Sequence, residues 1–159
     1  MRARPTRTAT DSSLTMAACA TYCRRVRSAR EILAESTTIA VVGASRDPSK
    51  VAHTVPRQML RHGWNVIPVN PHMDELWGVR CYPTLADVPE HVDLVNVFRP
   101  APDCPDIALQ AVAIGAGALW LQQDIVSVQA REIAVAGGLD YVEDHCIAVE
   151  RAVSAITKV

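Results

Sequence analysis

Apolar positions along this chain fall into short runs separated by stretches of helical spacing. Ile39 to Val42 (IAVV) is too short for a helix and too continuous for a strand with one wet face, so it reads as a central buried strand of a parallel sheet. Asn65–Val69, Val92–Phe98, Ala118–Leu121 and Leu139–Val142 supply four more strands. Between them, Val51 to Gly63 carries Val55, Met59 and Leu60 at helical spacing and stops at a glycine. Pro56 is tolerated only near a helix start, which puts that start at His53 to Val55. Further helices are expected over Asp106–Ile114, opened by Pro102 or Pro105, over Ser127–Ala136 and over Ala148–Thr157. Ser28 and Glu31 are spaced as a capping box for a short helix ahead of the first strand. Leu76–Tyr82 reads as a short edge segment and Thr84–Ala86 as the start of a helical turn. The order is that of an α/β domain: a single doubly wound, mainly parallel five-stranded sheet with helices on both faces, Rossmann-like.

Ligands of such sheets bind outside the carboxyl ends of the strands, so the residues that follow each strand enumerate the candidate site. They are Gly43-Ala44-Ser45-Arg46, Asn70-Pro71, Phe98-Arg99-Pro100, Leu121-Gln122-Gln123 and Glu143 to Cys146. The first is the most informative. Gly43 lets the chain turn sharply beside a ligand, Ala44 and Ser45 are too small to block the approach, and the loop can aim free N–H groups and a helix N-terminus at an anion. His53, at that helix start, is either a donor to a phosphate or a cap-region histidine without a role. A dinucleotide fingerprint needs glycines where Ser45 and Pro48 stand, and an acid where Asn70-Pro71-His72 follows the second strand. The nicotinamide reading loses weight twice, and an NAD(P)-binding redox protein is kept only as an alternative.

Composition narrows the class. With 159 residues, 49% of them hydrophobic, the chain suits one globular domain, and no apolar run approaches the roughly 18 to 20 residues a membrane span needs. Five scattered cysteines without a C-x-x-C pair argue against a zinc knuckle or a secreted disulfide framework and make a reducing cytoplasm the default. Five histidines show no H-E-x-x-H pattern, so spacing offers no metal site. The net charge of −1 hides an asymmetry: residues 1–37 carry seven Arg against three acids, residues 38–159 nine Lys or Arg against fourteen. So acidic a globular part does not suit a nucleic-acid binder. Residues 1–27, Arg-rich with one acid, are expected to be a disordered extension ahead of a domain at 28–159. Their composition fits a transit peptide or an upstream start ahead of Met16, and the second is preferred.

Arg46, Lys50 and Arg99 place three of the nine later cations in or beside the rim, which suits a ligand with several phosphates. No G-x-S-x-G elbow, P-loop or suggestive carboxylate pair is present, so a binding module is favoured over an enzyme. Cys146, after Asp144-His145 and near a helix start, is either a thiol of lowered pKa or a small buried apolar residue.

Taken in order, VVGASRDPSKVAH, VIPVNP, GVRCYPTLADVP, VDLVNVFRP, ALWLQ and the closing Asp144, Cys146, Ile147 and Glu150 resemble the small stand-alone CoA-binding proteins. These are similar to the Rossmann-type domain at the N-terminus of the succinyl-CoA synthetase α subunit. The resemblance covers about residues 36 to 155. It implies coenzyme A or acyl-CoA along the strand rim, with Gly43, Ala44, Ser45 and Arg46 near the diphosphate and Lys50 a further phosphate contact. Asn70 and Pro71 then lie near the adenosine, Phe98 and Arg99 line the groove, and Gln122 is near the pantetheine. His145 stands where the family often has arginine, and the second synthetase domain with its phosphorylatable histidine is missing, so ligase activity is not implied. A non-catalytic carrier, sensor or regulatory module is expected. The alternatives are a CoA-presenting subunit of an acyl-CoA ligase or transferase, and a redox switch joining Cys146 to the CoA thiol. A protein partner or a homo-oligomer stays open.

Overall fold

The structure, a computed structural model, describes residues 24–159. In chain order it contains α1 (Ala29–Glu35), β1 (Thr38–Val42), α2 (Val51–Arg61), β2 (Asn65–Val69), β3 (Glu75–Leu76), β4 (Val79–Arg80), β5 (Leu94–Val97), α3 (Cys104–Ala113), β6 (Ala118–Leu121), α4 (Val128–Ala136), β7 (Asp140–Val142) and α5 (Ile147–Val153). Five strands form one parallel sheet in the order β2-β1-β5-β6-β7. The doubly wound α/β sheet is therefore present. The chain leaves β1 for β2 on one side and returns to β5 on the other, so the switch point lies between the ends of β1 and β5.

The period-two alternation of a strand explains how both faces fill. Ile39 and Val41 point to one side with Val66, Leu94 and Trp120, where α1, α2 and α5 cover them through Ile32, Met59 and Ile147. Ala40 points to the other with Val95, Val97, Leu119 and Leu121. There α3 and α4 meet through buried Ala108, Ala111, Ala130 and Ala134, whose small side chains let the helices approach.

Three local features depart from the expectations. Helix α2 begins at Val51, so Pro56 is its sixth residue and not near its first. The N–H that proline lacks would have bonded the Ala52 carbonyl. That carbonyl instead accepts the Ser45 N–H at 3.2 Å, which turns a helix defect into a tether for the loop after β1. Leu76–Tyr82, expected as a short edge segment, belongs to a separate antiparallel hairpin of β3 and β4, turned at Trp77 and Gly78 with φ of 56° and 77°. It adjoins the main sheet through a parallel bridge from Tyr82 to Val69.

The third concerns the basic segment. Of the extension expected over residues 1–27, residues 1–23 lie outside the described residues, and residues 24–27 are held against the domain. Buried Asp140, at the start of β7, accepts from Arg27 Nε at 2.6 Å and from Arg24 Nη2 at 3.1 Å. Ser28 caps α1 with the expected reciprocal bonds to Glu31. Asp140→Ala removes the acid that Arg24 and Arg27 share, leaving Arg24 to water and Arg27 to its remaining pair with Glu35 at 2.8 Å. Urea unfolding is expected to show a loss of about 2 kcal/mol, the scale of hydrogen bonds to charged groups; an unchanged midpoint contradicts an anchoring role.

Candidate functional site

The loop leaving β1 is held from three directions. Gly43 turns at φ +85°, and its N–H donates to the Val69 carbonyl at 3.2 Å, tying the ends of β1 and β2. A Cβ on Gly43 would lie 2.8 Å from Arg99 Cδ and 3.1 Å from the Phe98 carbonyl oxygen, so the absent side chain is what admits the Arg99 stem. Asn70 Nδ2 donates to the Ala44 carbonyl at 3.0 Å. His53 Nδ1 donates to the Ser45 carbonyl at 2.8 Å.

These bonds orient the peptides. In a trans peptide the C=O and the following N–H point opposite ways. With the Ser45 carbonyl turned in to His53, the Arg46 N–H points away from that ring. Among the described residues, the N–H groups of Ala44 and Arg46 have no hydrogen-bond partner. Beyond them, Asp47 accepts from the Ser49 hydroxyl at 2.7 Å and its N–H at 2.9 Å, and these bonds hold its carboxyl below the usual range.

Beside the loop, at the switch point, lies a cavity of about 460 Å³ walled by Gly43, Asn70, Pro71, Arg99, Asp103 and Ile107 among others. That volume falls within the roughly 300 to 1,000 Å³ of small-molecule sites. The walls come from the ends of β1, β2 and β5, the Pro83-Thr84 turn and the first turns of α3.

The sequence-predicted residues thus separate into groups. Gly43, Asn70, Pro71 and Arg99 line the cavity. Arg46 and Lys50 do not line it; both are exposed in or at the end of the loop after β1, and neither pairs with an acid among the described residues. Arg99 is not a free cation, since Asp103 accepts from its Nε at 3.0 Å and its Nη2 at 2.7 Å. Ala44 is buried under the loop, and Ser45 is spent within it, its Oγ accepting from the Asp47 N–H at 3.1 Å. His53, expected to meet a phosphate, is buried with both ring nitrogens engaged by protein groups. Phe98 packs with the core on the α2 side. Gln122 is buried too, donating to Asn96 Oδ1 at 2.6 Å and accepting from the Ile147 N–H at 3.4 Å.

Sequence reasoning missed Asn96, which is fully buried in β5 with its Nδ2 unpartnered. The signal was there: an amide inside VDLVNVF needs a partner that an apolar strand cannot give. It missed also Trp77, for which no signal existed. Farther along the rim, His145 Nε2 meets Glu150 Oε2 at 2.8 Å. The Ser154 hydroxyl and then His145 hold the Glu150 carboxyl below its usual range. Cys146 is half-buried at the start of α5. Cys104 is buried, and burial pushes its thiol up to about 11. No metal-binding cluster of His, Cys, Asp or Glu occurs among the described residues, and none of their helices is long and apolar enough to cross a membrane.

The family model described as CoA binding domain matches residues 37–152, which contain every wall of this cavity. The chain belongs to that CoA-binding family. An uncharacterized Bacillus subtilis (strain 168) protein, YneT, is 37% identical over 125 residues, covering 79% of this chain and 93% of that one. An ADP-forming acetate–CoA ligase of Archaeoglobus fulgidus is 30% identical over 80 residues, 49% of this chain but 12% of the ligase. Among solved structures, a hypothetical protein from Pyrococcus horikoshii OT3 has a TM-score of 0.78 at 34% identity, covering 80% of this chain and 90% of that one. The dinucleotide-forming acetyl-coenzyme A synthetase 1 of Ca. Korarchaeum cryptofilum has a TM-score of 0.62 at 31% identity, covering 70% of this chain and 26% of the synthetase. The family domain thus occurs both as nearly a whole chain and as a small part of a ligase.

Gly43→Ala tests the local geometry. A side chain at φ +85°, set against Arg99 and the Phe98 carbonyl, is expected to cost about 2 kcal/mol or more in denaturant unfolding. A wild-type midpoint contradicts the close approach of Arg99.

Proposed function

We propose that this chain binds coenzyme A or acyl-CoA at the carboxyl rim of its sheet, as a carrier, sensor or regulatory module without chemistry of its own. The observation that carries the reading is the loop after β1. Its carbonyls are turned inward to Asn70 and His53, it carries unpartnered N–H groups and two unpaired cations, its first residue, Gly43, lines the cavity at the switch point, and the chain belongs to a CoA-binding family.

The residues present fit such a ligand. The diphosphate is assigned to the Gly43–Arg46 loop, where N–H donors and the Arg46 and Lys50 charges complement an anion. The adenosine is assigned to the wall formed by Asn70 and Pro71. The pantetheine arm is assigned to the side carrying Arg99, whose guanidinium Asp103 holds in place. Phe98 and Gln122 support this arrangement from behind: Phe98 packs in the core, and Gln122 fixes Asn96 and the start of α5. The acid that would bond a nicotinamide cofactor's ribose is replaced by Asn70, whose amide is already committed to the loop.

A second reading, presentation of CoA to a separate ligase-type partner, is favoured by the ligase relatives, in which the matched segment is a small fraction of a larger enzyme. Recovery of a ligase-like protein with the tagged chain supports it. A sole homo-oligomeric or monomeric state without a partner supports the carrier.

Titration calorimetry with CoA, dephospho-CoA and NAD separates the ligand classes. Micromolar CoA binding is expected, and NAD binding at that level with no response to CoA contradicts the reading. Arg46→Ala and Lys50→Ala are each expected to weaken CoA about tenfold, the loss of one charge-assisted contact. If either residue holds the 3′-phosphate, its variant weakens CoA more than dephospho-CoA; if it meets only the diphosphate, it weakens both alike.

A further inference from the structure

His53 and Trp77 form a contact that the assignment of the rim does not use. Trp77 sits at the tip of the β3–β4 hairpin in the left-handed region, at φ 56°, where a bulky side chain needs a reason to stay. Its indole Nε1 donates to His53 Nε2 at 3.3 Å, with the ring centroids 5.5 Å apart and the planes 69° to each other. The opposite nitrogen of the same ring, Nδ1, is 2.8 Å from the Ser45 carbonyl. An indole N–H can only donate and a carbonyl can only accept. Both contacts together therefore require a neutral imidazole with its proton on Nδ1.

Ser45 is gripped on its other side as well, since its N–H reaches the Ala52 carbonyl that Pro56 leaves free. The hairpin, the His53 ring and the loop thus form one chain of contacts. It ends at the peptide whose N–H, that of Arg46, points away from His53.

We propose that Trp77 and His53 are positioning residues: the docked hairpin sets the Ser45–Arg46 peptide and so couples its own docking to ligand affinity at the rim. The inference rests on the proposed reading of that rim as the CoA site. Protonation of His53 converts Nε2 from acceptor to donor, facing another donor, and the hairpin loses its hold. The charged groups nearest in the chain are Asp47 of the loop, which feels both Lys50 and His53, and Arg57 four residues along α2; the hairpin carries Glu75 and Arg80 in its strands and meets the ring through the neutral indole. Acidification is therefore expected to weaken CoA binding by releasing the hairpin.

The test compares CoA titrations at pH 8 and pH 6 with tryptophan emission over the same range. Trp77→Phe keeps the ring but not the donor, and is expected to weaken CoA about fivefold at pH 8 and to flatten the pH dependence. His53→Ala is expected to weaken it about tenfold. His53→Asn, whose amide can still donate to the Ser45 carbonyl but offers the Trp77 indole no acceptor and cannot titrate, is expected to weaken CoA about fivefold, as Trp77→Phe does, with no pH dependence. If wild-type protein binds CoA while Trp77→Phe and His53→Ala match it in affinity and pH profile, the coupling is overturned. If wild-type protein binds no CoA, the reading of the rim fails, and emission decides the rest. A pH-dependent signal in wild type that is lost in Trp77→Phe and in His53→Asn supports hairpin docking through His53. The same signal in all three overturns it.

Discussion

Strand β1 lies between two other strands and between two layers of helix, and from Ile39 to Val42 it carries only apolar side chains, since a polar one there would lose water. What it can offer a ligand is concentrated where it ends, at Gly43. The missing side chain there has two effects: it permits the left-handed turn and lets the Arg99 stem pass within contact of the backbone. The rim, the cavity and the display of loop N–H groups all follow from that one turn between a dry strand and a wet edge.

A loop of small residues would not keep such a shape alone. Three supports from different parts of the chain hold it: Asn70 from the end of β2, His53 from inside α2, and the Ala52 carbonyl exposed by Pro56. Each turns a loop carbonyl or N–H inward and so fixes which groups are left facing out. The proline is informative because its usual cost, an unpaired carbonyl in a helix, is offset by a bond that the site uses. The same economy appears in Gln122, buried and committed at both ends, which joins β5 to the start of α5 without reaching the cavity.

The parallel strands were legible in the sequence because burial on both faces writes itself as short, continuous apolar runs such as IAVV and ALWL. The capping box of α1 was legible because its residues sit at a fixed offset. The start of α2 was not, since the rule against internal proline assumes that the freed carbonyl stays empty. The hairpin was hidden because Trp77-Gly78 lacks the usual Asn-Gly signature of its turn. At the site, listing residues after each strand found Gly43, Asn70, Pro71 and Arg99, which topology alone brings together. That list could not tell a free cation from a paired one, so the Arg99–Asp103 bond was invisible. It could not tell a side chain facing the cavity from one turned into the core either, and His53, Phe98 and Gln122 fall in the second class. The basic segment misled for a related reason: the acid that holds Arg24 and Arg27 is Asp140, more than a hundred residues away.

Members of the family occur as whole small proteins and as parts of much larger ligases, so the fold does not decide between carrying CoA and presenting it. The claim common to both is that the loop after β1 grips the ligand through its backbone. An amide-resolved NMR titration with CoA tests it most directly. The account predicts that the Ala44 and Arg46 amide signals move with saturation while those of α4 and β7 stay still. Unchanged signals from residues 43–46 in a CoA-saturated protein would contradict it.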